Sequence, residues 1–349
     1  MADPPDHLVI GTRKSTLAMI QTHYVEAALK ETFPTLNLTI DKRTTKGDEV
    51  QNVALNKIGD KSLFTKELEL ALEAEEVDIV VHSLKDLPTT LPPNMIIGAI
   101  LKREDPKDAV IIKDKTKYAH LSELPEGSVI GTSSVRRAAQ IRANFPHLTI
   151  KDIRGNLNTR VEKKLEGTQD YDAIILAFAG IARMGWEEKI SHVLDDEHCL
   201  HAVGQGALAV ECRVQDLAIL KTIQTLTDRN TALACIAERA FMCKLEGGCS
   251  APVAAHAQVQ EGVLSMKGGV WSLDGSDALV AVSTVTLSGN SDPPTVQNES
   301  QYAGFVGLNL HEADLQSAHD LGLNLALKLI KRGAEKILMA AKLANATPS

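Results

Sequence analysis

The chain has 349 residues, 44% of them hydrophobic, so it is long enough to form two or three domains with buried cores. Its formal net charge of −8 argues against a general nucleic-acid-binding protein, whose surface would be basic. The five cysteines contain no C-x-x-C pair, and the sequence shows neither a secretory signal nor an apolar run long enough to cross a bilayer. We therefore expect a soluble cytoplasmic protein, and the spacing of His192, His198 and His201 does not suggest a metal site.

A pattern in the first two thirds of the chain occurs twice. LVIGTRKSTLAMIQ (8–21) and SVIGTSSVRRAAQI (128–141) share VIGT before a helical pattern, and each is followed by Phe-Pro and another apolar run. EVDIVVHS (76–83) and DYDAIILA (170–177) form a further pair, in which an aspartate precedes a short apolar segment. Strands that alternate with helices are typical of a mainly parallel sheet covered by helices. The repeat predicts two similar α/β lobes.

Basic and hydroxyl side chains follow the predicted strands. Ligands of such sheets bind at the carboxyl ends of the strands, where helix N-termini favour anions. Because arginine pairs with carboxylates and phosphates, we expect a cleft for a polyanion; a solvated helix-start cation is the alternative for any single residue. The residues are Arg13, Ser15, Lys57 and Lys61 in the first lobe, and Ser133, Ser134, Arg136, Arg137, Arg154, Asn156, Arg160 and Arg183 in the second.

The segment VVHSLKDLPTTLPP (80–93) runs from an apolar strand into a proline-bounded loop. It places Lys85 and Asp86 at the carboxyl end of that strand. Two interpretations remain open from the residues alone. The two side chains form a surface ion pair without a chemical role, or Asp86 is a carboxylate among cations that stabilises developing positive charge or transfers a proton.

Two segments are predicted to connect the lobes. LKREDPKDAV (101–110) leads out of the first lobe, and AVGQGALAVECR (202–213) returns to it, so that the pair forms a hinge. From about Asp228 a helix and three alternating segments predict a small α+β domain with an antiparallel sheet, closed by a helix from about Ala313 to Lys331. The expected domains are lobe 1 (1–103 and 204–227), lobe 2 (104–203) and the C-terminal α+β domain (228–349).

Cys249 lies in KLEGGCSAPV (244–253), between two glycines and a Ser-Ala-Pro sequence. Such a loop presents a side chain outward. Three interpretations are open: a tolerated surface cysteine, a hydrolytic Cys–His pair for which the sequence names no base, and a covalent tether that needs only an accessible thiol.

Eight motifs taken together resemble the porphobilinogen deaminases, also called hydroxymethylbilane synthases, of tetrapyrrole and haem biosynthesis. The resemblance covers about residues 8–253, and GGVWSLDGSD (268–277) is similar to the animal cytosolic branch of the family. It implies two periplasmic-binding-protein-like lobes with mixed, mainly parallel sheets, a two-strand hinge, and a small C-terminal α+β domain. The motifs are GTRKSTLA, KSLFTKELE, VVHSLKDLPT, KREDPKDA, GTSSVRRAAQ, RGNLNTR, AVGQGAL and LEGGCSAP.

The resemblance also implies a dipyrromethane cofactor joined to Cys249 by a thioether. Four porphobilinogen units would be added to this primer, each losing ammonia, before hydrolysis releases hydroxymethylbilane. The family is expected to be a cytoplasmic monomer whose partner is the small molecule porphobilinogen, without nucleic acid, membrane or metal. Asp86 is implied as the catalytic carboxylate. The positions implied at the cofactor are Cys249, Lys85, Asp86, Ser133, Ser134, Arg136, Arg137, Arg160, Gln205 and Gly206, and those at the substrate are Arg13, Ser15, Gln21, Phe64, Arg154, Asn156 and Arg183.

Overall fold

A computed structural model describes residues 4–49, 64–245, 251–288 and 301–346 of the chain. Within these ranges the strands form two five-stranded sheets and one three-stranded sheet. Cys249, Lys57 and Lys61, which carried predictions, lie outside the described residues. None of the described helices is long and apolar enough to span a membrane.

The first lobe is built on a five-stranded sheet in the order β2-β1-β3-β10-β4. Strands β1, β2 and β3 are parallel, and β10 is antiparallel to both of its neighbours. The strands are β1 (His7–Arg13), β2 (Asn37–Arg43), β3 (Ile79–Ser83), β4 (Met95–Ile100) and β10 (Leu208–Arg213), and the helices are α1 (Thr16–Thr32), α2 (Lys46–Glu49), α3 (Lys66–Glu73) and α6 (Leu217–Gln224).

The second lobe repeats this plan in the order β7-β6-β8-β5-β9, with β5 in the place of β10. Strands β6, β7 and β8 are parallel, and β5 is antiparallel to β8 and β9. The strands are β5 (Asp108–Ile112), β6 (Val129–Gly131), β7 (Thr149–Lys151), β8 (Ala173–Ala177) and β9 (His192–Val193); the helices are α4 (Val135–Asn144), α5 (Phe178–Arg183) and a π-helix (Thr159–Glu166), with 3-10 turns at Leu121–Glu123 and Glu187–Lys189.

Equivalent hydrogen bonds occur where the parallel strands of the two sheets begin, which confirms the repeat predicted from the sequence. The Asp78 carboxylate accepts from the Val9 amide at 2.7 Å, and the Asp172 carboxylate accepts from the Val129 amide at 2.7 Å. These are the aspartates that precede the short apolar runs. Strands β3, β5, β8 and β10 are almost entirely buried, as expected for central strands covered on both faces.

Two antiparallel chain segments cross between the lobes, as predicted. The Leu101 amide donates to the Leu208 carbonyl at 3.0 Å, and the Glu104 amide donates to the Gly206 carbonyl at 3.3 Å. Gly206 has a φ of +87°, and a Cβ there would stand 2.4 Å from the Glu104 carbonyl oxygen. Only glycine therefore allows the two crossings to approach this closely.

The C-terminal part is a three-stranded antiparallel sheet covered by helices, as predicted. Helices α7 (Arg229–Lys244) and α8 (Glu312–Lys331) approach each other so closely that a Cβ at Gly322 would stand 2.0 Å from the Ala237 carbonyl oxygen. The predicted final helix is confirmed as α8, but a further helix, α9 (Ala334–Ala346), follows it and was not predicted. The elements are α7 (Arg229–Lys244), β11 (Val253–Gln260), β12 (Val263–Trp271), β13 (Ala278–Thr286), α8 (Glu312–Lys331) and α9 (Ala334–Ala346).

Candidate active site between the two lobes

Lys85 and Asp86 lie on a single 3-10 turn (Leu84–Asp86) at the carboxyl end of β3. Leu84 is buried and anchors this turn, and its amide donates to the Ala207 carbonyl at 3.0 Å. The turn is thereby held against the returning crossing, next to Gly204, where a Cβ would stand 2.8 Å from the Leu84 side chain. Lys85 and Asp86 are half-buried, so each keeps part of its surface exposed to solvent.

Arg136 and Arg137 lie in the first turn of helix α4 and are buried. Both pair with the carboxylate of Asp108, the first residue of β5, at 2.8 Å and 2.6 Å respectively. Because β5 is antiparallel to β8, its first residue lies at the carboxyl edge of the sheet, beside the N-terminus of α4. Burial would raise the pKa of Asp108, but the two guanidinium groups outweigh it and hold that pKa far below its usual range.

Gln205 connects the two lobes at this point. Its amide nitrogen donates to Asp108 at 2.8 Å, and its amide oxygen lies 3.4 Å from the Lys85 ammonium nitrogen. A continuous set of polar contacts therefore runs from Lys85 of the first lobe through Gln205 to Asp108 and the two arginines of the second.

We call Lys85, Arg136, Arg137, Arg154 and Arg160 the cation cluster. Burial, together with Arg137 and Arg154, lowers the pKa of Arg160 to about 10, while nearby Asp152 and Asp86 act in the opposite direction. Burial, with help from Arg137 and Arg136, lowers the pKa of Lys85 to about 8, and Asp86 opposes this change. Neighbouring arginines thus weaken the proton affinity of Lys85 and Arg160, which is the electrostatic character of a site built for anions.

The remaining predicted residues surround this cluster in different ways. Gln21 donates to the Ser83 hydroxyl at 2.9 Å, two residues before Lys85, and Arg183 donates to the Gly206 carbonyl at 2.6 Å. The Arg13 guanidinium lies 4.4 Å from the centre of the Phe64 ring. Gln21 therefore lies at the end of β3, Arg183 lies against the returning crossing, and Arg13 and Phe64 contact each other beside the end of β1.

Four of the predicted residues have local structural contacts in the described part of the chain. Ser15 and Ser134 cap α1 and α4 by accepting from the amides of Ala18 and Arg137, both at 3.4 Å. The Ser133 hydroxyl donates to the Ile153 carbonyl. Asn156 is exposed and accepts from the Thr159 amide at 2.9 Å, which caps the turn before the π-helix.

Sequence reasoning missed Asp108, although a signal for it was present. KDAVII has the same aspartate-plus-apolar pattern as the two segments recognised at 76–83 and 170–177. We interpreted it only as part of a crossing. Sequence reasoning also missed a buried ion pair at the hinge. Arg103, in the outgoing crossing, donates two hydrogen bonds of 2.7 Å and 2.9 Å to the Glu238 carboxylate.

Most of the described thiols are unsuited to covalent chemistry. Burial raises the pKa of Cys199, Cys212 and Cys235 to about 12, so they are poor nucleophiles. Cys243 is exposed near the end of α7. Cys249 follows it in the chain, between Leu245 at the helix terminus and β11, outside the described residues.

The cation cluster fits a ligand that carries several carboxylates. It holds five cations, whereas the carboxylates described next to them are those of Asp86, Asp108 and Asp152. The Nε–H of Arg137 is buried and has no acceptor among the described residues. A buried donor of this kind costs free energy unless a partner is supplied, and a carboxylate is the natural partner of a guanidinium.

Two family models match the chain. "Porphobilinogen deaminase, dipyromethane cofactor binding domain" matches residues 8–221, and "Porphobilinogen deaminase, C-terminal domain" matches residues 232–331. The porphobilinogen deaminase of Synechococcus elongatus is 44% identical over 97% of this chain and 96% of its own length. That of a Nostoc species is 43% identical over 93% of this chain and 96% of its own.

Solved structures with partial similarity include two binding proteins. The methionine binding protein MetQ covers 63% of this chain and 91% of its own, with 11% identity and a TM-score of 0.40. The periplasmic aliphatic sulphonate binding protein SsuA from Escherichia coli covers 69% of this chain and 71% of its own, with 12% identity and a TM-score of 0.37.

Proposed function

We propose an active site for this chain, which belongs to the porphobilinogen deaminase family and is a tetrapyrrole-building deaminase and transferase with a dipyrromethane cofactor. The proposed site is the cleft around Lys85, Asp86 and the cation cluster. The observation that carries this proposal is the set of contacts from Lys85 through Gln205 and Asp108 to Arg136 and Arg137. It joins residues of both lobes around a surplus of positive charge, which suits pyrroles that carry acetate and propionate groups.

In this proposal the cations hold carboxylates and do not take part in bond-making. Arg136, Arg137, Arg160 and Lys85 bind the acid side chains of the cofactor and of the substrate unit next to it, with Ser133, Ser134, Gln205 and Gly206 beside them. Cys249 would hold the dipyrromethane cofactor by a thioether, and the bound cofactor would supply the terminal pyrrole carbon to which the first unit is joined. The substrate side chains are held by Arg13, Ser15, Gln21, Phe64, Arg154, Asn156 and Arg183.

Asp86 is proposed as the catalytic residue. Loss of ammonia from the aminomethyl group of porphobilinogen leaves a cation that is delocalised over its pyrrole ring. A carboxylate in reach of the ring N–H stabilises that charge and accepts or returns a proton during the reaction. The position of Asp86 supports this role, because it is half-buried on a turn anchored by Leu84 and lies near Lys85 and Arg160.

Intact-mass analysis of the purified protein, before and after addition of porphobilinogen, tests this function. We expect an adduct of two linked pyrrole units on the native protein and heavier species, one pyrrole unit apart, during turnover. Cys249→Ala should remove both the adduct and the activity, whereas Cys243→Ala is the matched control and should retain them.

Other outcomes of the same measurement would identify a different protein. A protein at its bare polypeptide mass that consumes no porphobilinogen would be an anion-binding module. One whose Cys249 reacts with acyl electrophiles, and which carries no pyrrole, would be a thiol hydrolase. An adduct that persists in Cys249→Ala would move the attachment site to another cysteine.

The finer expectations stay predictions. We propose that the protein is a cytoplasmic monomer without nucleic-acid partners, which light scattering and cell fractionation can test. We also propose the domain boundaries given above, which limited proteolysis near 103 and 228 can test. Placement in the animal cytosolic branch rests on one stretch, GGVWSLDGSD, and the cyanobacterial relatives do not support it.

A further inference from the structure

Asp108 has no equivalent in the other lobe, although the two lobes share one plan. The register of the antiparallel strands identifies the matching position: Asp108 pairs with Ala177, the last residue of β8, and Leu208 pairs with Ser83, the last residue of β3. An apolar residue in one lobe therefore stands where the other lobe has a buried carboxylate.

The helix that faces this position differs in the same way. Ser15 and Ser134 cap α1 and α4 by equivalent bonds, so the second and third residues of the two helices correspond. They are Leu17 and Ala18 in the first lobe but Arg136 and Arg137 in the second. The sheet position and the helix positions thus change together, from three apolar residues to one acid and two bases.

The Asp108 carboxylate makes four polar contacts. One oxygen accepts from Arg137 at 2.6 Å and from Gln205 at 2.8 Å, and the other lies 2.8 Å from the Arg136 guanidinium in an ion pair and 3.5 Å from the Cys199 sulfur. Such a pattern fixes the planes of both guanidinium groups. It cancels one of their two positive charges and leaves the other for a ligand.

We infer that Asp108 is a positioning residue, which orients Arg136 and Arg137 toward the carboxylates of the pyrroles and, through Gln205, aligns Lys85 with them. This inference rests on the proposed function of the cleft. It assigns Asp108 no contact with substrate or cofactor. The acid acts through the three residues that it holds.

The test compares Asp108→Asn and Asp108→Glu with the wild-type holoenzyme and with Asp114→Asn. Asp114 is exposed just beyond the other end of β5, so it is a matched control for loss of one negative charge. We expect KM for porphobilinogen to rise about tenfold or more in Asp108→Asn, the usual effect of losing a charged hydrogen bond. The fraction of purified protein that carries the covalent adduct should fall as well.

A purely structural role would give a different result. It would reduce the amount of folded enzyme, and hence the apparent kcat, but leave the KM of the folded molecules unchanged. Asp108→Glu keeps the charge and hence the fold but displaces the arginines by one methylene, so we expect its KM to rise several-fold with an unchanged urea midpoint. A wild-type KM in either variant would overturn the inference.

Succinate provides a readout that does not depend on turnover. This dicarboxylate should raise the unfolding temperature of the wild-type protein and of Asp114→Asn, because ligands that bind only the folded state stabilise it. The rise should be lost in Asp108→Asn and reduced in Asp108→Glu. An equal rise in all four proteins would contradict the inference even if the wild-type protein proved inactive toward porphobilinogen, which by itself would contradict only the proposed function.

Discussion

At the scale of single residues, the site depends on cations that are difficult to hydrate. Lys85 and Arg160 both have pKa values lowered first by burial and then by neighbouring arginines. A ligand carboxylate would relieve both effects, because it replaces lost water contacts and neutralises part of the repulsion. Part of the favourable free energy of ligand binding therefore comes from relief of the repulsion between these cations and from replacement of their lost water contacts.

Replacing Asp86 tests its proposed catalytic role. Asp86→Asn keeps the shape of the side chain and removes its charge, and a transition-state contact of this kind is worth about 3–4 kcal/mol. We expect turnover on the order of a hundredfold slower or more, with the cofactor still attached by intact mass. Asp86→Glu, which keeps the charge but displaces it, should retain trace activity and accumulate partly extended chains. Near-normal turnover in Asp86→Asn would transfer the catalytic role to another group.

The lowered pKa of Lys85 predicts a pH dependence of substrate binding. Its pKa of about 8, compared with 10.5 for a free lysine, means that the protonated fraction falls as the pH rises through 8. Loss of this positive charge weakens the hold on carboxylates, so KM should increase between about pH 7 and pH 9. Lys85→Arg remains charged over this range, and its KM should stay level. A level KM in the wild-type protein would show that Lys85 does not bind the substrate.

The sequence predicted the charged residues of the site better than their partners. Arg136 and Arg137 were recognisable because they follow a glycine turn that is repeated elsewhere in the chain. Their partner Asp108 is about 30 residues earlier, and only the antiparallel insertion of β5 brings it to the same sheet edge. Local patterns specify which elements form, whereas strand order decides which side chains meet.

At the scale of secondary-structure elements, helix α7 links the C-terminal sheet to both crossings. Glu238 on this helix is fully buried and accepts from Arg103 of one crossing, from the Gly204 amide of the other, and from the Ala257 amide of β11. Burial opposes the charge of Arg103, but Glu238 outweighs it and the pKa of Arg103 is raised. The hinge and the C-terminal part thus share one buried ion pair.

Removal of this acid should destabilise the protein. Glu238→Gln leaves the Arg103 charge buried without its partner, which typically costs about 3–5 kcal/mol. We expect a clearly lower urea midpoint by circular dichroism. Glu31→Gln, at an exposed position of α1, removes the same charge and should change the midpoint little. Equal midpoints for the two variants would mean that the remaining contacts of α7 hold the hinge without Glu238.

Element boundaries followed from local signals where those signals were strong. The repeated strand-helix pattern of the two lobes and the alternating segments of the C-terminal sheet were visible in the sequence, and the structure confirms both lobes and that sheet. Helix α9 was not predicted, because Gly333 ends the preceding helix and the short segment after it shows little amphipathic pattern. Its exposed Met339 and Leu343 blur the distinction between faces.

At the scale of the whole molecule, two electric fields of opposite sign act on an anionic substrate. The chain has a formal net charge of −8, which repels a dicarboxylate at long range, whereas the cation cluster attracts it within the cleft. Long-range repulsion is screened over about 10 Å at ~0.1 M salt, and short contacts in a partly buried cleft are screened less. The direction of the salt effect on KM therefore shows which field dominates.

We expect KM for porphobilinogen to increase several-fold as salt is raised from ~0.05 M to ~0.5 M, because the cation cluster contacts the carboxylates directly and the net charge acts only at a distance. Glu31→Gln and Glu335→Gln, which reduce the net charge at exposed positions, should leave both KM and its salt dependence unchanged. Arg137→Ala removes a cluster cation, so it should raise KM and flatten the salt dependence. A KM that falls as salt is added, and that falls less in the two glutamine variants, would mean that repulsion by the net charge governs substrate capture.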